Sequence, residues 1–217
     1  YSNNPLFISI DIHIYMKWIV ITSPEFISGE AIFIDKLFRH GLDLLHLRKP
    51  EAPVEAYRAL LQSIPAMWHN RIVLHEHFAL ATEFALHGIH LNRRWQQVPT
   101  DFQGSVSCSC HSLAEVAVNK PLRQYVFLSP IFNSISKKGY AAAFTDATLQ
   151  QAANNALIDH QVVALGGITA AHIPQLRAWH FGGAAFLGDI WNRMHHPQVD
   201  AYLAQLRQAL SDPDANT

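Results

Sequence analysis

The stretch Tyr125-Val126-Phe127-Leu128-Ser129-Pro130-Ile131-Phe132-Asn133-Ser134-Ile135-Ser136-Lys137-Lys138-Gly139 decides how this chain is read. Its first four residues are aromatic, β-branched or aliphatic with no polar alternation. Such a run suits a short strand buried on both faces. Ser129-Pro130 ends it. A polar loop follows, with hydroxyls at Ser134 and Ser136 and ammonium groups at Lys137 and Lys138. Hydroxyls, backbone N–H groups and positive charge at the end of a buried strand suit an anionic oxygen cluster such as a phosphate. A solvated basic loop has the same composition, so a second stretch carries weight. Val162-Val163-Ala164-Leu165-Gly166-Gly167-Ile168 is another buried strand ending in a glycine pair, and Thr169 stands where it caps a helix. Glycines there let a phosphate approach backbone N–H groups at the helix start.

Working outward, the same strand–helix unit recurs. Strands are expected at 18–22, 42–48, 71–75, Gly88–Leu91, 105–109, Tyr125–Leu128, Val162–Leu165 and 184–187. Helices are expected at 31–40, Val54–Ser63, 78–86, 113–118, 145–156, 170–179 and 199–210. Gly41 stops the first helix, and residues 92–102 carry little helix signal. This alternation predicts an α/β protein with a single (β/α)8 barrel over 16–211, with a doubly wound open sheet as the runner-up. Residues 1–15 read as an extra or non-native extension, since a clean strand begins just after Met16. Residues 212–217 read as a frayed tail.

Composition narrows the function. The 217 residues are 49% hydrophobic, enough for one well-buried domain. A net charge of −1 gives no global pull on nucleic acid or an anionic membrane. No apolar run approaches the roughly 20 residues of a membrane span. The two cysteines, Cys108 and Cys110, share one face of a strand and cannot easily close a disulfide, which fits a reducing cytoplasmic compartment. Both should point to the helical shell, because they alternate with Ser109.

In a barrel the chemistry sits at the carboxyl ends of the strands. There this chain places His46, Arg48 and Lys49; His75, Glu76 and His77; His90, Asn92, Arg93 and Arg94; Ser109 and His111; Ser134, Ser136 and Lys137; Gly166 and Gly167; Gly188 and Asp189. A cationic, hydroxyl-rich rim on a neutral chain argues for an anionic small-molecule ligand.

Four stretches, spanning most of 16–191, resemble the thiamin phosphate synthase family and its thiazole tautomerase-like branch. They are HLRKP at 46–50, LHEHFALATEFALHGIHL at 74–91, SCSCHS at 107–112, and SPIFNSISKKG at 129–139 taken with ALGGI at 164–168. The resemblance implies a transferase of thiamin biosynthesis. It would join hydroxymethylpyrimidine diphosphate to thiazole phosphate and release pyrophosphate, with Mg²⁺ as cofactor and phosphorylated small molecules as partners. A homodimer is compatible with it. On this likeness Arg48, Ser109 and Lys137 match the residues that grip pyrophosphate. Ser134 and Ser136 stand near the phosphates, and Gly166, Gly167 and Gly188 line the thiazole phosphate site. His46 replaces a pyrimidine-contacting glutamine. His75 and Glu76 replace an Asn-Asp pair, leaving Glu76 as the metal carboxylate.

The departures from the family pattern are specific. Its second lysine falls on Pro50, with Lys49 pointing away. Its second metal-binding aspartate falls on Trp95, and a serine becomes Gly188 followed by Asp189. A diverged tautomerase-like paralogue or a non-catalytic binder of a phosphorylated thiazole is the competing reading. Pro130 stands where the tautomerase branch carries a histidine, which speaks against simple tautomerase chemistry. Fourteen histidines are many. His75, His77, His87 and His90 crowd together in sequence, but a strand-borne HEH lacks the helical spacing of a zinc HExxH pair. A transition-metal site is therefore not expected among them.

Overall fold

The computed structural model describes residues 15–133 and 143–211. Its eight strands are β1 (Lys17–Ile21), β2 (Leu44–Leu47), β3 (Ile72–Leu74), β4 (Gly88–Leu91), β5 (Ser105–Cys110), β6 (Tyr125–Leu128), β7 (Val162–Leu165) and β8 (Gly183–Phe186). Every neighbouring pair is parallel, and β1 pairs with β8 through Lys17↔Gly183 and Ile19↔Ala185, so the sheet closes. The helices are α1 (Glu30–Arg39), α2 (Val54–Ser63), α3 (Ala79–Glu83), α4 (Leu113–Asn119), α5 (Asp146–Asn154), α6 (Ile173–Ala178), α7 (Gly188–Trp191) and α8 (Val199–Ser211). The (β/α)8 barrel expected from the strand–helix alternation is the observed fold.

Local chemistry explains most element ends. Gly41, at φ 94°, follows α1, and its N–H donates to Phe38 O. That left-handed position costs glycine nothing. Ser112 and Thr145 cap α4 and α5 through their side chains. Thr169 caps the next helical segment in a capping box with His172. That segment opens as a 3-10 turn, Ala170–His172, before α6 begins next to Pro174, so the expected 170–179 helix is two pieces. The 92–102 connection holds no helix, and β4 passes to β5 through a turn closed by Asn92 and Trp95. The short α7 and the 3-10 turns at Ala66–Arg71 and Lys120–Leu122 were not expected.

Alternation along each strand separates two cores. Trp18, Val20, Leu45, Leu47, Ile89, Val126, Leu128, Ala184 and Phe186 point outward to the helices, joined by Cys108 and Cys110 as expected. Helix α1 contributes Phe33, Ile34, Leu37 and Phe38 from one stripe, while Ile32 on its other face is 77% exposed. Each such side chain contributes at most about 1.5–3 kcal/mol. The lumen holds a smaller apolar cluster of Ile19, Ile21, Leu44, Tyr125, Phe127, Val163 and Ala185. Tyr15, counted with the extension, donates its hydroxyl to the Asp43 carboxylate.

Candidate functional site

On β2 the alternation sends His46 into the lumen, and Arg48 is the next residue on that side, beyond the end of the strand. Thr22 fixes the backbone there: Arg48 N–H donates to Thr22 Oγ1 at 2.9 Å, and the Thr22 hydroxyl donates to Arg48 O at 2.9 Å. Lys49 points the other way. Its Nζ is buried between Glu30 Oε1 at 2.5 Å and Glu25 O at 2.8 Å. The adjacent cations therefore have different fates. Lys49 is neutralised inside the shell, and Arg48 faces the mouth of the barrel with no carboxylate partner among the described residues.

Below the mouth lies a connected polar cluster. The Tyr125 hydroxyl is 2.7 Å from His46 Nε2, and His46 Nδ1 is 2.9 Å from His75 Nε2. His90 Nδ1 is 2.8 Å from Ser107 Oγ, and its Nε2 is 2.9 Å from Ser109 Oγ. His75 and His90 stack with ring centroids 4.3 Å apart. Burial, then the charges of neighbouring imidazoles, hold His46 and His75 far below the ordinary histidine range; Arg48 also acts on His75. Burial and then the Arg48 charge push His90 down to about 3. All three rings are neutral near pH 7. Burial raises the Tyr125 phenol, so it keeps its proton. One tautomer satisfies the chain: Tyr125 donates to His46 Nε2, and His46 Nδ1–H donates to His75 Nε2.

A cavity of about 810 Å³ opens above this layer at the carboxyl edge of the strands. Arg48, His75, Glu76, Ser109, Gly166, Gly167, Gly188 and Asp189 line it, over an apolar floor that includes Ile21, Phe127 and Ala185. The barrel thus brings twelve of the rim residues read from the sequence to one cavity, Asn92, Arg93, Arg94 and His111 being the other four. His46 does not reach the cavity: it is fully buried, and both its ring nitrogens are engaged. Ser134, Ser136 and Lys137 lie outside the described residues.

The remaining candidates have particular surroundings. Glu76 accepts a hydrogen bond at Oε2 from the Tyr57 hydroxyl, which in turn accepts Lys49 N–H at 2.7 Å. Asp189 does not aim its charge at the cavity. Arg193 sits 3.3 Å from Oδ1, and the Tyr202 hydroxyl donates to Oδ2. The glycine pair is demanded by packing. Gly167 has φ 65°, and a Cβ there would lie 2.1 Å from Asn133 O. Gly166 has φ 104°, and its carbonyl accepts Phe132 N–H at 3.0 Å. These glycines hold the loop after β6 against β7. His111 ties β5 to β6, with Nδ1 3.2 Å from Ser129 O. Trp95 turns toward Phe78 and His77 and brings no carboxylate to the mouth. Asn92 instead donates to His75 O at 3.1 Å.

Two contributors escaped the sequence reading, Tyr125 and Ser107. Each falls in the inward phase of its strand, which is the signal in the sequence that points to them.

An eight-stranded barrel with a cavity at its mouth, an arginine there without a carboxylate partner among the described residues and a backing of neutral imidazoles defines an α/β-barrel protein with a polar, small-molecule-sized cavity. The thiamine monophosphate synthase family model matches residues 19–190, and the chain belongs to that family. A solved thiamine phosphate pyrophosphorylase from Bacteroides thetaiotaomicron is 43% identical, with a TM-score of 0.81 over 89% of this chain and 97% of that one. The thiamine-phosphate synthase of Photorhabdus laumondii is 23% identical over 188 residues, covering 82% of this chain and 86% of that protein. That of Yersinia pseudotuberculosis is 25% identical over 175 residues, covering 76% and 80%. The family places the chain among transferases of thiamin biosynthesis. Among the described residues, no helix is long and apolar enough to cross a membrane.

Proposed function

We propose that this chain joins hydroxymethylpyrimidine diphosphate to thiazole phosphate, releasing pyrophosphate. The observation that carries the reading is Arg48: a guanidinium at the cavity mouth with no carboxylate partner among the described residues, in a cavity that Ser109 also lines. Its planar fork suits two oxygens of one phosphate. A departing diphosphate gains negative charge as its C–O bond breaks, so a preorganised cation there lowers the barrier more than it tightens binding. Ser109 adds a hydroxyl from β5. His75 presents a neutral ring whose orientation His46 and Tyr125 hold, so His46 acts on a pyrimidine through His75 rather than by contact. Lys137, Ser134 and Ser136 belong to the same reading as further phosphate ligands, and Gly166, Gly167 and Gly188 as the wall beside the thiazole phosphate.

Mg²⁺ fits this site in a limited way. Among the described residues at the mouth, Glu76 offers one carboxylate with Oε1 free of hydrogen bonds. Mg²⁺ accepts one or two carboxylates when phosphates fill its shell. Bound with diphosphate, it would neutralise the charge that develops on the leaving group. Trp95 removes a second carboxylate, and this favours the competing reading of a diverged binder of a phosphorylated thiazole.

The test is turnover with both substrates, with and without Mg²⁺, alongside calorimetric binding of thiazole phosphate. Pyrophosphate release that depends on Mg²⁺ is the expected result. Binding of thiazole phosphate without turnover would replace the transferase with the binder. Binding of neither phosphate would remove the anion site altogether.

A further inference from the structure

His46, His75 and His90 come from three successive strands and converge in the lumen just beneath the cavity. One ring nitrogen from each can be chosen so that all lie within 4.8 Å of one another, and all three residues are buried. We propose that this trio is a binding site for a borderline transition-metal dication, with Zn²⁺ the representative ion, separate from the Mg²⁺ expected at Glu76. The proposal does not depend on the transferase reading.

The donor set points to that class of ion. Three neutral imidazoles without thiolate or carboxylate suit Zn²⁺, Co²⁺, Ni²⁺ or Cu²⁺, whereas Mg²⁺ and Ca²⁺ select oxygen. Neutrality matters because a protonated ring has no lone pair to give. Cys108 and Cys110 face the opposite side of β5 and supply no sulfur.

The surrounding contacts have the pattern of ligand-orienting partners. With His46 Nδ1, His75 Nε2 and His90 Nε2 as ligands, the other nitrogens of His46 and His90 already rest on the Tyr125 hydroxyl at 2.7 Å and Ser107 Oγ at 2.8 Å. Metal-bound histidines usually have such a fixed second nitrogen. Without metal, the inner nitrogens satisfy one another and Ser109 instead, His46 to His75 at 2.9 Å and His90 Nε2 to Ser109 at 2.9 Å. Ligation exchanges those two hydrogen bonds for coordinate bonds. The His46 proton moves from Nδ1 to Nε2, where it donates to the Tyr125 oxygen, so no net proton is released from that ring. Tetrahedral Zn–N bonds of about 2.0–2.1 Å set nitrogens roughly 3.3 Å apart, so His46 and His75 must separate by a few tenths of an ångström. His75 and His90 must also fan out of their stack.

Ser109 and His75 both border the cavity, so the fourth coordination position opens toward it. Arg48 acts on both His75 and His90 and opposes a bare dication. The site therefore favours an anionic fourth ligand, hydroxide or a phosphate oxygen.

The experiment is titration of the metal-stripped full chain with Co²⁺, followed by visible absorption, and displacement by Zn²⁺. One equivalent of Co²⁺ should give the visible bands of a tetrahedral nitrogen site, and Zn²⁺ should abolish them. Tyr125→Phe should weaken uptake by about 10–100-fold, the usual effect of losing a ligand-orienting partner. His46→Gln and His90→Gln should lose the bands. His77→Gln should retain them, since His77 Nε2 sits 2.8 Å from Ala52 O, outside the trio. Circular dichroism checks that each variant folds, and Tyr125→Phe carries the test if a histidine variant does not. Absence of visible bands in the wild-type chain, or bands that survive in folded His46→Gln or His90→Gln, would overturn the site and leave the trio a hydrogen-bonded cluster only.

Discussion

The barrel lumen has two unlike arcs. From β6 round to β1 it is filled mainly by Phe127, Val163, Ala185, Ile19 and Ile21. From β2 to β5 it carries His46, His75, His90, Ser107 and Ser109, joined by hydrogen bonds. An apolar arc fails by leaving a void, in proportion to the volume lost. A buried polar arc fails by stranding whatever its missing member had satisfied. One closed sheet thus holds a packed wall facing a connected network, and the cavity sits over both.

Changes on each side should have these separate signatures. The largest effect is expected at Phe127, which is fully buried and packs its ring 4.7 Å from the centroids of both His46 and His90. Phe127→Ala should cost about 3–5 kcal/mol in urea unfolding. A loss under about 1 kcal/mol would mean that the wall is not supporting the network.

Next in size is His46→Leu, which keeps the bulk but orphans the Tyr125 hydroxyl and His75 Nε2. Each stranded group costs about 1–3 kcal/mol, and Tyr125 keeps a side-chain hydrogen bond with Ser107, so a total at the low end, about 2–3 kcal/mol, is expected. Tyr125→Phe combined with His46→Leu should lose less than the two single losses added together, since the second change removes a group already stranded. Agreement with simple addition to within about 0.3–0.5 kcal/mol would show that the arc is not a coupled network. The smallest effect belongs outside both arcs. Arg94 pairs with Glu51 at 3.2 Å, both largely exposed, and Arg94→Ala should change stability by less than about 1 kcal/mol.

Much of the fold was legible before any coordinates. Gly88–Leu91, Tyr125–Leu128 and Val162–Leu165 run as strands with the bounds that their apolar stretches imply, and Val54–Ser63 is the helix its pattern describes. β2 is shorter than its 42–48 signal: at its start the Asp43 carboxylate takes Trp18 N–H at 2.8 Å, and beyond its end Arg48 N–H donates to Thr22 Oγ1 at 2.9 Å. Strand phase also foretold that Lys49 would turn from Arg48. It could not foretell Glu30, the residue that receives Lys49 from a helix 19 positions away.

The histidine cluster illustrates the same limit. Neighbourhood in sequence suggested His75, His77, His87 and His90. The barrel discards His77 and His87 and recruits His46, because the trio depends on register between strands. His46 is level with Val73 on β3, one inward position below His75, while His90 is level with Ser107. Phase along one strand can be read from a sequence, but stagger between strands belongs to the closed sheet.

The most direct test of the account is the rate of pyrophosphate release by Arg48→Ala beside wild type, with both substrates and Mg²⁺ present and the melting temperature measured on the same samples. Arg48 faces the cavity without an ion-pair partner among the described residues, so its loss should leave the melting temperature within a few degrees. Turnover should fall by roughly 10²-fold or more, the usual consequence of removing one preorganised partner of developing charge. A folded Arg48→Ala variant that releases pyrophosphate within about twofold of wild type, far short of that loss, would contradict the account.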